Sequence, residues 1–303
     1  MPDVLCFGNL QLDILCRTVT ELPPPGGLRM IDTVDFTLSG NGGSLAMALA
    51  RLGVSVDLAG YSGADVIGQQ FRAMLKSEGV GIDKLFPHPT AGTGTSVIAL
   101  SPTGERSIFF VNGANEAFHL EDVPENWLQG PRIVAVTSVF VLPQFTGETI
   151  TRLFQRAHAL GAQTVLNICW DREARGLPFL APALAHSDYF VLNYDEGRQL
   201  TGHDAVSDIF DRLTEYTAGA IVLTLAAEGC CTRTESGIER IPAQLVQAAD
   251  TTGAGDSFVA GLIAGLIRGL SLRECLQLGC RMAAYAVTGP GAYARIPRDK
   301  EKS

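Results

Sequence analysis

Asp250-Thr251-Thr252-Gly253-Ala254-Gly255-Asp256-Ser257-Phe258 decides the reading of this chain. Gly253 and Gly255 permit a tight turn that aims successive N–H groups one way. The apolar run that follows, Phe258 to Ile267, reads as a helix whose N-terminus faces the turn. Its dipole and free amides make an anion site. Asp256 stands at the mouth of that site. A bound phosphate repels a carboxylate there, unless the carboxylate takes a proton from an attacking hydroxyl. Amides for developing charge and a base for the nucleophile are the parts phosphoryl transfer needs. A shorter match, Gly-x-Gly-Asp-Ser, would be read as an ordinary turn with a cap.

Around this stretch, short Val/Ile/Leu runs alternate with helical patterns. Val4–Phe7, 56–60, Ile133–Val136, 164–167, 189–192 and 220–225 read as buried strands. Segments 45–52, 69–78, 148–160, 196–201, 207–216 and 258–269 read as helices. The alternation predicts an α/β sandwich with a mostly parallel sheet, binding its ligand at the carboxyl ends of the strands. Two segments, 15–38 and 92–112, break the rhythm. The first holds Pro23-Pro24-Pro25-Gly26-Gly27; the second reads as a hairpin turning at 101–105. They predict a small β lid inserted in a large α/β domain made of 1–14, 39–91 and 113–303. Strand 95–100 is apolar on both faces, which predicts a homodimer through the lid.

Composition narrows the partners. The 303 residues carry 23 basic against 32 acidic side chains, a net charge of −9, with no basic block, so a nucleic-acid partner is not expected. The longest apolar run has ten residues, too short for a bilayer. The first residues lack a basic, then apolar, leader pattern, and seven unclustered cysteines read as reduced core thiols. A cytoplasmic enzyme is expected.

Further stretches repeat the site theme. Gly8-Asn9-Leu10-Gln11-Leu12-Asp13 follows the first strand, where the Asp13 carboxylate accepts two hydroxyl donors. Ser39-Gly40-Asn41-Gly42-Gly43-Ser44 opens a helix. Asn193-Tyr194-Asp195-Glu196 follows a strand, and Thr224-Leu225-Ala226-Ala227-Glu228-Gly229 another. In order and spacing, these and the Asp250–Phe258 stretch resemble the ribokinase-like (PfkB) carbohydrate kinase family over nearly the whole chain.

The resemblance implies a three-layer α/β/α ribokinase-like fold and ATP-dependent phosphorylation of a sugar hydroxyl. It implies Asp256 as general base and an anion hole from Gly253, Ala254 and Gly255. It assigns Asn9, Asp13, Gly40, Asn41 and Asn112 to the acceptor. Asn193, Thr224, Ala226, Gly229, Gly253, Gly255 and Cys280 go to the nucleotide, and Glu196 to Mg²⁺ through water. Asp250 and Thr252, with the Gly289 and Gly291 carbonyls, correspond to a monovalent-cation site. Arg295 stands where the family often has Ser, and a guanidinium disfavours a cation there, so K⁺ activation is not expected.

The chain departs from the family at Ser39, Ser44 and Ala226. Alignment on strand 164–167 places Asp171 where family members acting on sugar acids carry Arg. A carboxylate facing the acceptor predicts a neutral or amine-bearing sugar, while a shift by one residue would present Arg172 instead. Two alternatives stay open. One is a nucleoside kinase, with Phe36, Phe109, Phe110 or Phe118 stacking the base. The other is a non-catalytic sugar or nucleotide sensor on the same fold.

Overall fold

The computed structural model describes residues 1–103, 105–119, 123–289 and 292–298. Among the described residues nine strands form the main sheet: β1 (Val4–Phe7), β4 (Val56–Ser62), β5 (Leu85–Pro87), β8 (Ile133–Val136), β9 (Gln163–Asn167), β10 (Tyr189–Asn193), β11 (Ala220–Thr224), β12 (Cys230–Thr234) and β13 (Gly237–Ile241). Their spatial order is β13-β12-β11-β10-β9-β8-β1-β4-β5, parallel except at β12 and β13. The chain reverses its direction across the sheet at β1, between β8 and β4. The crevice outside the strand ends at such a reversal is where open α/β sheets bind ligands.

Helices cover both faces, which is why the strands read as continuous apolar runs. Val4 and Cys6 point to one core, packed under α1 (Asn41–Arg51), α2 (Val66–Ser77), α7 (Ala254–Ile267) and α8 (Leu272–Ala286). Leu5 and Phe7 point to the other, under α3 (Gly147–Ala159), α4 (Gly176–Leu184), α5 (Tyr194–Thr201) and α6 (Val206–Thr214). Helix α7 is buried from Asp256 to Gly265. It meets α8 at backbone distance, because a Cβ at Gly261 would lie 2.7 Å from the Gly279 Cα. That contact fixes the axis of α7, and therefore where its N-terminus and Asp256 point. Among the described residues no helix is long and apolar enough to cross a membrane.

The small sheet has four strands in the order β3-β2-β6-β7: β2 (Gln11–Arg17), β3 (Thr33–Ser39), β6 (Gly94–Leu100) and β7 (Arg106–Val111). The hairpin is present, with Leu100 paired to Arg106, although its Gly104 lies outside the described residues. One expectation needs correction: strand β2 begins at Gln11, not after residue 14, so Asp13 belongs to the small sheet. Strand β6 lies inside that sheet, flanked by β2 and β7. The period-2 alternation that extends β2 back to Gln11 is already visible in Gln11-Leu12-Asp13-Ile14-Leu15-Cys16-Arg17.

Two helices escaped the reading. Helix α4 carries Pro182 in its interior, which argues against a helix on sequence grounds. Helix α8 opens on a capping box, Ser271 with Glu274, a signal that was available.

Candidate active site

Gly253 adopts φ +74°, a left-handed conformation that glycine takes without strain, and caps α7. The Ala254 N–H folds back on the Thr251 carbonyl at 3.3 Å. The N–H groups of Gly253 and Gly255 meet no protein acceptor among the described residues. Asp256 lies one residue further, in the first turn, and is buried. Burial pushes its carboxyl up to about 7, opposed by a hydrogen bond from Asn41 Nδ2 at 2.8 Å. A carboxylate with this poise near neutrality suits a general base.

Three cavities meet at residues 253–256. A large one of about 540 Å³ lies between the small sheet and the strand ends, lined by Asp13, Asn41, Asp250 and Asp256 among others. A passage of about 150 Å³ joins Asp256 to Glu196, Asn193 and Gly255. Beyond it, an apolar cavity of about 350 Å³ is lined by Thr224, Ala226, Gly229, Gly255 and Cys280. Five of the seven residues assigned to the nucleotide from sequence thus share one wall, with Asn193 and Gly253 in the passage.

In the large cavity, Asn9 accepts from the Asn41 N–H at 3.0 Å and from Ser138 Oγ at 2.8 Å, pinning α1 to the ends of β1 and β8. Asp13 faces the cavity from β2. Burial raises its carboxyl, while Ser39 and Ser96 hydroxyls bonded to it pull the other way. Ser39, a departure from the family pattern, therefore holds Asp13 in place. Ser96 and Gln11 were missed; Gln11 Nε2 reaches Ser96 Oγ at 3.2 Å. Their signal was the polar inward positions of β2 and β6, legible once the strand pairing is known.

Several assignments change. Glycines of the 39–44 stretch let backbone approach backbone, while Gly40 also lines the large cavity: a Cβ at Gly42 would lie 2.5 Å from the Gly8 carbonyl carbon. At Gly40, φ +88°, it would lie 2.5 Å from the Asn9 oxygen. Asn41 lines the cavity and gives its side-chain amide to Asp256. Asn112 stands off the cavity lining; its carbonyl accepts from Asn115 Nδ2 at 2.8 Å and its own Oδ1 is unpartnered. Asn115, also missed, clasps Leu10 through both its amide oxygen and nitrogen, at 3.0 and 2.9 Å.

Asp171 does not face the large cavity. It is buried, accepts from the Gly176 N–H at 2.7 Å at the start of α4, and lies outside the cavity lining. Arg172 takes the cavity position, its guanidinium carbon 5.0 Å from the centre of the Phe110 ring. The physical reason is local: orphan N–H groups opening α4 draw the carboxylate inward. The case for an amine-bearing sugar goes with it. Of the four phenylalanines offered for base stacking, Phe118 is buried against Phe145, and Phe36 and Phe109 are exposed on the outer face of the small sheet. Phe110 alone of them lines the cavity, under a guanidinium.

Glu196 and Asn193 form a reciprocal capping box, both contacts 2.8 Å. The cap does not exclude a second role, since both residues line the passage. Burial foremost, then the charges of Asp256 and Asp195, push Glu196 up to about 7. Asp250 accepts from the Thr252 N–H at 2.9 Å. Arg295 packs directly on Gly289: a Cβ there would be 2.5 Å from its Nη2. Gly291 lies outside the described residues.

The model of the pfkB family of carbohydrate kinases matches residues 1–299. A fructokinase of Escherichia coli is 30% identical, with 98% of this chain and 97% of that protein covered. A ribokinase of Schizosaccharomyces pombe is 25% identical over 98% of this chain and 95% of its own length. The fold is that of Arabidopsis thaliana ribokinase complexed with ribose and ATP, at TM-score 0.85 and 22% identity, covering 98% of this chain and 96% of that one.

Proposed function

The chain belongs to the pfkB family of carbohydrate kinases, and from that premise we propose that it transfers the terminal phosphoryl group of ATP to a sugar hydroxyl. The observation that carries this reading is that residues 253–256 border all three cavities at once. Acceptor in the large cavity, phosphates in the passage and adenine in the apolar cavity would meet at the N-terminus of α7. The small sheet serves as the lid and keeps water from competing as nucleophile.

Asp256 takes the proton of the acceptor hydroxyl. The free N–H groups of Gly253 and Gly255, with the α7 dipole, stabilise charge on the transferring group. Ala254 contributes less than expected, since its N–H is turned toward Thr251. Asn41 orients the Asp256 carboxylate, and Asp13 holds acceptor hydroxyls.

The site suits Mg²⁺ bound mainly by ATP oxygens and water. Glu196 and Asp256 are two buried carboxylates, the charge of Asp256 raises the proton affinity of Glu196, and a hard cation between them and the phosphates would relieve that repulsion. Among the described residues no group of three acidic, His or Cys side chains forms a protein cage, which fits a cation borrowed from the nucleotide. Such an ion would neutralise phosphate charge. Arg295 against Gly289 disfavours a monovalent cation beside it. Of the aromatic side chains lining the cavity among the described residues, Phe110 is already covered by Arg172 and Tyr293 by Arg51, which favours a sugar over a nucleoside. ATP turnover measured over neutral sugars, sugar acids, sugar phosphates and nucleosides tests the proposal. Turnover confined to nucleosides, or absent throughout, would overturn it.

A further inference from the structure

We propose that Cys230 and Cys280 form a dithiol that hydrogen peroxide oxidises to a disulfide, and that this modification weakens nucleotide binding. The effect on the nucleotide rests on the apolar cavity being the adenine site. Cys230 lies on β12 and Cys280 on α8, and their sulfurs are 3.6 Å apart, in hydrogen-bond contact across 50 positions of sequence. Cys231, next in the chain, belongs to the opposite core.

The two thiols differ in the way an oxidisable pair needs. Cys230 is fully buried, whereas Cys280 lines the apolar cavity of about 350 Å³. A small peroxide entering that cavity meets Cys280 and not Cys230. The hydrogen bond from Cys230 also holds the Cys280 thiol below its ordinary range, against the pull of burial. The same contact, then burial, raises Cys230. The thiolate is the nucleophile, so Cys280 reacts first and Cys230 resolves. The Cys280 thiolate attacks one peroxide oxygen and the O–O bond breaks. Sulfenic acid remains on Cys280, and the released hydroxide takes the proton that Cys280 gave up and leaves as water. The Cys230 sulfur then attacks the Cys280 sulfur. The S–O bond breaks, the departing hydroxide takes the Cys230 proton, and a second water leaves. The two thiols thus supply the two electrons and two protons that reduce one peroxide to two waters.

A disulfide needs its sulfurs at about 2.05 Å, so the pair must close on bonding. Strand β12 is held by β11 on one side and β13 on the other, so α8 gives way. Cys280, Ala283, Ala284 and Val287 of α8 line the cavity. Gly279, the residue before Cys280, meets Gly261 of α7 at backbone distance. Closure therefore shifts both the adenine wall and the helix that carries Asp256.

The test treats the intact chain with hydrogen peroxide, removes the excess with catalase, and maps crosslinks by tandem mass spectrometry that tells Cys230 from Cys231 and Cys280 from Cys275. A Cys230–Cys280 crosslink is expected. With it, kcat/KM for ATP is expected to fall about 10–100-fold, the cost of a displacement near ~1 Å, and to be restored by a dithiol reductant. Saturating ADP fills the cavity and is expected to slow crosslinking at least about tenfold. Cys230→Ala and Cys230→Ser cannot form the bond. In both, peroxide is expected to leave a sulfenic acid on Cys280, trapped by dimedone, with kcat/KM for ATP within about twofold of the untreated variant. Thermal melting before treatment shows which variant keeps the native fold. No crosslink in the intact chain overturns the proposal and leaves the kinase reading intact. An equal fall in the Cys230 variants does the same, because it places the effect at a single thiol. A crosslink that ADP does not slow and that leaves kcat/KM unchanged overturns the nucleotide effect, and with it the assignment of adenine to this cavity.

Discussion

Replacing Asp256 by Asn is expected to abolish most turnover and, above neutral pH, to make the protein more stable. The amide keeps an oxygen to accept from Asn41 Nδ2, so the local geometry survives while the base is lost. General-base contributions of about 10²–10⁴-fold set the expected fall in kcat, with ATP affinity little changed. The stability effect follows from burial. In the native state the carboxyl is raised from 3.8 to about 7, so between roughly pH 4 and pH 7 the folded form holds a proton the unfolded form has lost. Stability therefore falls as pH rises through that window, and above it the folded protein carries the full cost of a buried charge. At about 1.4 kcal/mol per pH unit the ceiling is ~4 kcal/mol. Relaxation around the site leaves a fraction of it.

Asn carries no such cost. Ligand-free Asp256→Asn is expected to melt several degrees above the native sequence at pH 8.5 and at nearly the same temperature at pH 4. Scanning calorimetry at the two pH values, paired with coupled-enzyme turnover, reads both halves. Near-normal kcat would remove Asp256 from the chemistry. An Asp256→Asn protein that is less stable at pH 8.5 would refute the reasoning that burial dominates this carboxyl. For the intact enzyme, kcat/KM is expected to rise with pH on an acid limb ending near neutrality, and that limb is expected to vanish in the variant.

The outer face of the small sheet exposes Phe36 at 68%, Phe109 at 57% and Val111 at 55%, so a dimer through that face is expected at micromolar concentration in sedimentation. Phe109→Asp is expected to yield monomer, and a monomeric native chain would count against the interface. Exchange of K⁺ for Na⁺ or choline is expected to change activity less than about twofold, because Arg295 lies on Gly289; a large K⁺-selective gain would mean that it swings away. Gly42→Ala is expected to cost about 1–3 kcal/mol by overpacking against Gly8, and to lower kcat by shifting Asn41. Denaturant unfolding with unchanged midpoint would refute that.

Why the motif was legible and the lining of the large cavity was not follows from where each is encoded. The Asp250–Phe258 stretch is local: a glycine turn, a carboxylate and a helix N-terminus are set by consecutive residues, so reading them in sequence places them in space. The same holds for the strands of the main sheet, whose two-sided burial leaves unbroken apolar runs. Asp13 was identifiable, but its setting was not, since Ser39 and Ser96 reach it only through strand pairing across 26 and 83 positions. Asp171 and Arg172 show the limit most clearly. They are adjacent, and one turns inward to the first N–H groups of α4 while the other turns to the cavity. Which does which depends on α4, whose Pro178 and Pro182 hid it from the reading. It depends also on Arg175, which draws both neighbouring acids to itself. Had α4 been recognised, the rule that carboxylates favour helix N-termini would have sent Asp171 inward and left Arg172 for the cavity. Which of the two adjacent side chains lines the cavity is thus set by the start of a helix that contributes no residue to that lining.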